Sequence, residues 1–117
     1  MRMLPFERLH VYEESLQFID LIYKIVNSWP REEMYGLVDQ FKRASVSIAL
    51  NIAEGSSRTK KDFRHFLDQA RGSCYECIAI LSIAKNRSYL TMKQYDDASE
   101  KCVRIIRMIN GLRKSLL

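Results

Sequence analysis

The side chains that could carry chemistry are few, and their spacing argues against most reaction types. Two histidines, His10 and His65, stand singly in different segments, which suits surface or interfacial positions better than general-base work. Cys74-Tyr75-Glu76-Cys77 has the spacing of a redox pair or a zinc half-site. It lies in the middle of an apolar periodic segment, however, and has no second Cys or His pair nearby, whereas redox pairs sit at a helix N-terminus that stabilises the thiolate. Together with Cys102 they make three cysteines, an odd number set in apolar stretches, so packed thiols are expected rather than a disulfide framework. The serines lack His and Asp partners at a recognisable spacing, and the four glycines, at 36, 55, 72 and 111, form no phosphate-cradling loop. The expectation is a protein that is not an enzyme and holds neither cofactor nor metal.

What remains is positive charge. Nineteen Lys and Arg against fourteen Asp and Glu give a net charge of +5. Residues 1–57 carry six basic and eight acidic side chains, net −2, while residues 58–117 carry thirteen basic and six acidic, net +7. Arg58, Lys60, Lys61 and Arg64, with Arg71, open one segment; Lys101, Arg104 and Arg107 form a stripe at helical spacing on another, followed by Arg113 and Lys114. A solvated face is the plain reading, since Asp96, Asp97 and Glu100 dilute the same stretch. The sharper one is contact with a phosphate backbone. No recognition-helix or RNA-binding motif indicates base readout.

These residues need elements to position them. A chain of 117 residues, 47% hydrophobic and 28% charged, suits one domain spanning residues 1–117. No apolar stretch approaches the ~20 residues that span a bilayer, and the first segment lacks the order of a secretory leader. A soluble cytoplasmic chain without a membrane partner is therefore expected. Four helical patterns follow one another and none reads as a strand. The first spans about Glu7 to Ser28, with two adjacent seams, one through Leu9, Tyr12, Leu16, Ile19, Tyr23 and Val26, the other through Val11, Ser15, Phe18, Ile22, Ile25 and Trp29. Pro30 stops it. The second runs from Arg31 or Met34 to Glu54, with Gly55 in a left-handed stop position. A cap among Ser56, Ser57 and Thr59 starts the third, whose expected inner stripe is Phe63, Phe66, Ala70, Ser73, Cys77, Ile80 and Ala84. Thr91 caps the fourth, with Met92, Tyr95, Ser99, Cys102, Ile106 and Ile109 facing inward and a second seam of Ala98, Ile105, Leu112 and Leu116. Short connections make consecutive helices antiparallel neighbours, so the fold class is all-α, an antiparallel up-down-up-down four-helix bundle.

Ordinary surface helices keep a charged stripe toward water. Residues 44–53 contain no charge, and residues 72–84 contain only Glu76. Phe41, Ala44, Ile48 and Ile52 point one way, while Val46, Leu50 and Ala53 point roughly opposite and want covering by another subunit. Between these faces runs a polar stripe of Gln40, Arg43, Ser47, Asn51 and Glu54, whose members must pair. Glu54, at the negative end of the helix dipole, needs a cation, and Arg58 is the expected one.

The runs Glu33-Met34-Tyr35-Gly36-Leu37 and Asn51-Ile52-Ala53-Glu54-Gly55, with Gln40, Arg43-Ala44, Ser47-Ile48 and Arg58, resemble the signature of the four-helix-bundle proteins of intervening sequences in bacterial 23S ribosomal RNA genes. The likeness extends to Phe6, Leu9, Val11 and Tyr12 and to Phe63, Phe66-Leu67, Ala70, Gly72-Ser73 and Glu76. It implies a bundle that assembles as a homopentamer, and a distant kinship with the accessory variability protein of diversity-generating retroelements, which binds nucleic acid and a reverse transcriptase. In a pentamer the net charge reaches about +25. The functional expectation is a non-enzymatic homo-oligomeric scaffold that binds RNA or DNA phosphates without strong sequence specificity. The alternative is an interaction module that docks a protein such as a reverse transcriptase.

Overall fold

The computed structural model describes residues 4–117; the first three residues of the expected 1–117 domain lie outside the described residues. A 3-10 turn over Pro5–Arg8 leads into α1, His10–Val26. The one long pattern expected from Glu7 is thus divided at Leu9, which is extended and starts a fresh helix. A second 3-10 turn, Arg31–Glu33, precedes α2, Leu37–Ser56; α3 spans Lys60–Asn86 and α4 spans Met92–Ser115. No strand occurs among the described residues.

The boundaries have local causes. Thr59 Oγ1 accepts from the Asp62 amide at 3.2 Å and Thr91 Oγ1 from the Gln94 amide at 3.0 Å, so both expected hydroxyl caps form. In the α3–α4 turn, Ser88 takes φ 60°, its amide donates to Lys85 O at 3.0 Å, and the Tyr89 amide donates to Ala84 O at 2.9 Å. These two bonds close a Schellman motif around a left-handed residue that is not glycine. Gly55 behaves otherwise than expected. It lies inside α2, and no described glycine has positive φ. Its value is space: a Cβ there would come within 2.7 Å of both Phe63 Cδ1 and Phe66 Cβ on α3.

The helices form a square in which each contacts its two neighbours, with the closest seam between α2 and α3, in a body of 42 × 29 × 21 Å. Phe18, Ile22 and Ile25 of α1 meet Phe41, Ile48 and Ile52 of α2, Leu67, Cys74 and Leu81 of α3, and Cys102, Ile105 and Ile109 of α4. Trp29 stacks on Phe41 with centroids 5.7 Å apart and closes the end of the core at the α1–α2 turn. Along α3 the buried stripe runs through Phe63, Leu67, Ala70, Cys74, Cys77, Ile80, Leu81 and Ala84, so Leu67, Cys74 and Leu81 take the depth expected of Phe66 and Ser73. A helix held between two neighbours buries a wide arc, and Phe66 and Ser73 lie on its half-exposed edge. Met92, expected to face inward, is exposed at the start of α4, where full burial begins only at Ala98.

Candidate nucleic-acid interface

The structure sorts the basic residues into two places. The first is the end of the bundle where α3 begins and α4 finishes. Arg64 Nη1 donates to Leu116 O at 2.6 Å, which brings the Arg58, Lys60, Lys61 and Arg64 cluster beside Arg113 and Lys114. Arg58 is partly committed, 3.6 Å from Glu54 and over the Phe66 ring at 5.4 Å, so Glu54 has the partner expected of it. Arg113 forks onto Asp68, with Nε at 2.7 Å and Nη2 at 3.2 Å, and Arg71 adds a third contact at 3.0 Å. The Arg113 hydrogen bonds and charge, helped by Arg71, hold the Asp68 carboxyl below its ordinary range. Lys60, Lys61 and Lys114 are exposed and make no ion pair among the described residues. Lys60 and Lys61 fill the first two positions of α3, where the helix dipole is already positive and disfavours them.

The second place is the α1–α4 seam. Glu14 is only 17% exposed and takes Lys101 at 3.5 Å and Arg104 at 3.3 Å; Lys101 also donates to Gln17 Oε1 at 3.1 Å. Arg107, one turn on, is exposed and has no ion pair among the described residues. From Arg104 to Leu116 the axis of α4 advances about 18 Å, so the stripe of Lys101, Arg104 and Arg107 and the cluster at the start of α3 are separate surfaces. Sequence spacing missed the role of Glu14, because it is one acid among several on α1 and only the tertiary pairing singles it out.

The charge-free face lies on the outer side of α2 and α3. Leu50 is 63% exposed, Val46 and Ala53 are half-buried, and Tyr75 and Ile83 of α3 are exposed. The polar stripe beside it pairs within itself and across to α3. Asn51 Nδ2 donates to Ser47 O at 2.9 Å and to Ser47 Oγ at 3.0 Å; Ser73 Oγ donates to Ser47 Oγ at 3.0 Å; Gln40 Nε2 donates to Glu76 Oε2 at 3.4 Å. Arg43 turns back to Asp39 at 3.3 Å. Of the motif residues, Asn51 and Gly55 thus have packing reasons within one chain. Gly36 and Leu37 open α2, and Tyr35 is 91% exposed.

His10 is exposed beside Glu13 at 3.8 Å, and His65 shares a hydrogen bond of 3.1 Å with Gln69. No group of three or more His, Cys, Asp or Glu side chains among the described residues could hold a metal ion. Cys74, Cys77 and Cys102 are free and buried, and Cys102 Sγ donates to Cys74 O at 3.4 Å. The neighbouring Cys102 side chain and then burial push the Cys74 thiol up, and burial pushes Cys77 up, so neither is a thiolate nucleophile. That Cys102 meets Cys74 was open to inference from the sequence, since both lie fourteen residues from Ser88, the midpoint of an antiparallel hairpin. Among the described residues no helix is long and apolar enough to cross a membrane.

Comparison with known proteins bears on the fold and the family. A search of curated proteins returns no match. A crystal structure of a protein with unknown function from the S23 ribosomal protein family of Bacteroides thetaiotaomicron superposes with a TM-score of 0.82 at 24% identity, covering 89% of this chain and 95% of that one. At that identity it speaks for the bundle alone. The sequence profile of the 23S rRNA-intervening sequence proteins aligns with residues 7–111, from the turn before α1 almost to the end of α4, and the chain belongs to that family.

Proposed function

We propose that the protein is a non-enzymatic, cytoplasmic, homo-oligomeric scaffold, a pentamer, that binds the phosphate backbone of RNA or DNA without strong sequence specificity. One observation carries the reading: Lys60 and Lys61 stand exposed, with no ion pair among the described residues, at the start of a helix whose dipole opposes them, beside the cationic end of α4. A phosphate placed there meets two ammonium groups and the positive end of α3 together. Arg58, Arg64 and Lys114 extend the surface, and Arg107 begins a second one together with Lys101 and Arg104 once a phosphate competes with Glu14. Assembly through Val46, Leu50 and Ala53 multiplies a modest monomer charge, which supports binding to long polyanions.

The test is a salt titration with structured RNA, duplex DNA and single strands. Log affinity is expected to fall linearly with log salt, with similar slopes for scrambled sequences, and the double variant Lys60→Glu/Lys61→Glu is expected to lower both affinity and slope. Light scattering is expected to give a mass several times that of the 13.8 kDa chain, and Leu50→Arg to dissociate it. No binding at about 50 mM salt, where the electrostatic contribution is large, would transfer the reading to a module that docks a protein such as a reverse transcriptase.

A further inference from the structure

At the end of the bundle opposite the basic one, the turn between α1 and α2 closes around a recess of about 140 Å³. Val26, Trp29 and Val38, all buried, form its floor, and Tyr23, Met34 and Lys42 form its rim. Trp29 is 6% exposed, yet its indole Nε1 has no hydrogen-bond acceptor among the described residues. Buried tryptophan nitrogens ordinarily find a partner, and leaving one unpaired costs about 1–3 kcal/mol. The ring is held in place, stacked on Phe41 and tilted on Tyr89 with both centroids 5.7 Å away. The orphaned donor is therefore a fixed feature of the corner.

The two charged residues that line the recess, Arg31 and Lys42, are both basic. Lys42 Nζ lies 4.7 Å over the Tyr23 ring, and neither Lys42 nor the adjoining Arg31 makes an ion pair among the described residues. Two neighbouring carboxylates are already engaged: Glu33 accepts from Tyr89 Oη at 2.8 Å, and Asp39 pairs with Arg43 at 3.3 Å. The third, Glu32, is exposed and does not line the recess. Finally, α2 opens at Gly36 with no side-chain cap, unlike α3 and α4, so its first-turn amides leave the positive end of a 20-residue helix at this corner, with Val38 of that turn in the floor.

We propose that this recess binds a small monocarboxylate with an apolar or aromatic body. The body packs on Val26, Trp29 and Val38, while the carboxylate accepts from Trp29 Nε1–H and is neutralised by Lys42. The volume sets the size, since a cavity of about 150 Å³ suffices for a benzene ring. Nε1 itself is closed to solvent, so the proposed contact requires side chains at the rim to shift as the ligand enters. The site lies at the other end of the molecule from Lys60 and Lys61 and stands or falls independently of phosphate binding.

Trp29 is the only tryptophan, so its indole N–H gives a single resonance that reports this corner alone. Benzoate is the probe and benzyl alcohol its neutral counterpart, titrated into the full chain. Benzoate is expected to move the indole proton downfield and to saturate, with benzyl alcohol binding about tenfold more weakly and Lys42→Met weakening benzoate by a similar factor. Lys42 is at the rim and methionine keeps the alkyl stem, so this variant remains folded where Trp29 variants lose core packing. An indole resonance that benzoate leaves in place through the millimolar range, equal binding of the two probes, or full affinity in Lys42→Met would each overturn the proposal.

Discussion

Gly55→Ala is a test of how tightly α2 and α3 meet. Alanine is the better helix former by up to about 1 kcal/mol, and Gly55 lies within α2 with no positive φ, so propensity alone says the variant should be more stable. Packing says the reverse. The new methyl would be 2.7 Å from Phe66 Cβ and from Phe63 Cδ1, where 3.4 Å begins ordinary contact, so something must yield by about 0.7 Å. The Phe63 ring can tilt, but Phe66 Cβ is fixed to the α3 backbone, so the helices must part at their closest seam. Overpacking of this kind costs about 1–3 kcal/mol; set against a propensity gain of up to about 1 kcal/mol, the net is a loss of up to about 2 kcal/mol. Gly111→Ala is the control, because nothing lies within 4 Å of its added Cβ and only the propensity gain remains. Thermal unfolding at one fixed protomer concentration reads both, with each kcal/mol moving Tm by about 3–6 °C in a chain of this size. Gly55→Ala more stable than the parent, or Gly111→Ala losing stability, would refute the reasoning.

Ser88→Gly should stabilise by about 0.5–1 kcal/mol, since the left-handed position of the Schellman turn disfavours a Cβ, and chemical denaturation measures it. Cys74→Ala with Cys77→Ala should cost about 2 kcal/mol through lost packing and leave oligomer size unchanged; in the parent, thiol reagents at neutral pH should react only on unfolding. For Asp68, the native carboxyl titrates below its ordinary 3.8, so the unfolded chain takes up this proton first as the solution is acidified. The Asp68–Arg113 contribution is therefore complete at neutral pH and is lost as pH falls from 3.8 through the lower native value. With the side chain 36% exposed, solvent screens the pair and the loss is modest; a pH series of urea midpoints should be flatter in Asp68→Asn over that window.

The bundle was legible because each helix carries its own apolar period and its own stop. Phe18, Ile22 and Ile25, or Phe41, Ile48 and Ile52, announce their burial by spacing, and Thr59 and Thr91 announce their caps. What escaped depends on contacts between segments. Arg31-Glu32-Glu33 after Pro30 reads as the first turn of a helix, yet it closes as a 3-10 turn in which Glu33 is held by Tyr89 from the far connection, and α2 waits for Leu37. Gly55 reads as a stop because glycine's local meaning is conformational, whereas here it is the width of a helix seam. The surface residues were legible in type and not in company: seven cations looked equivalent along the chain, and Glu14, Glu54 and the Leu116 carbonyl, each supplied by packing or by the helix end, divide them into engaged and free.

That division gives the two halves of the proposed scaffold opposite responses to salt. Leu50 lies only about 9 Å along α2 from its end at Ser56, and α3 begins a few residues later with Lys60 and Lys61. In the proposed assembly, a subunit contact through Val46, Leu50 and Ala53 that sets the α2 helices of neighbouring copies side by side in the same direction places their lysine pairs at one end, where they repel. The contact itself is apolar, and its strength does not depend on charge, while the repulsion between neighbouring lysine pairs is screened as ionic strength rises. Assembly should thus hold or tighten between low and moderate salt, over the same range in which phosphate binding loses affinity through counterion release. Sedimentation and binding measured on one sample series separate the two. Lys60→Gln/Lys61→Gln should remove the salt sensitivity of assembly and weaken nucleic-acid binding together. Assembly that loosens in step with nucleic-acid release as salt rises would mean that ion pairs, not Leu50 and its neighbours, join the subunits.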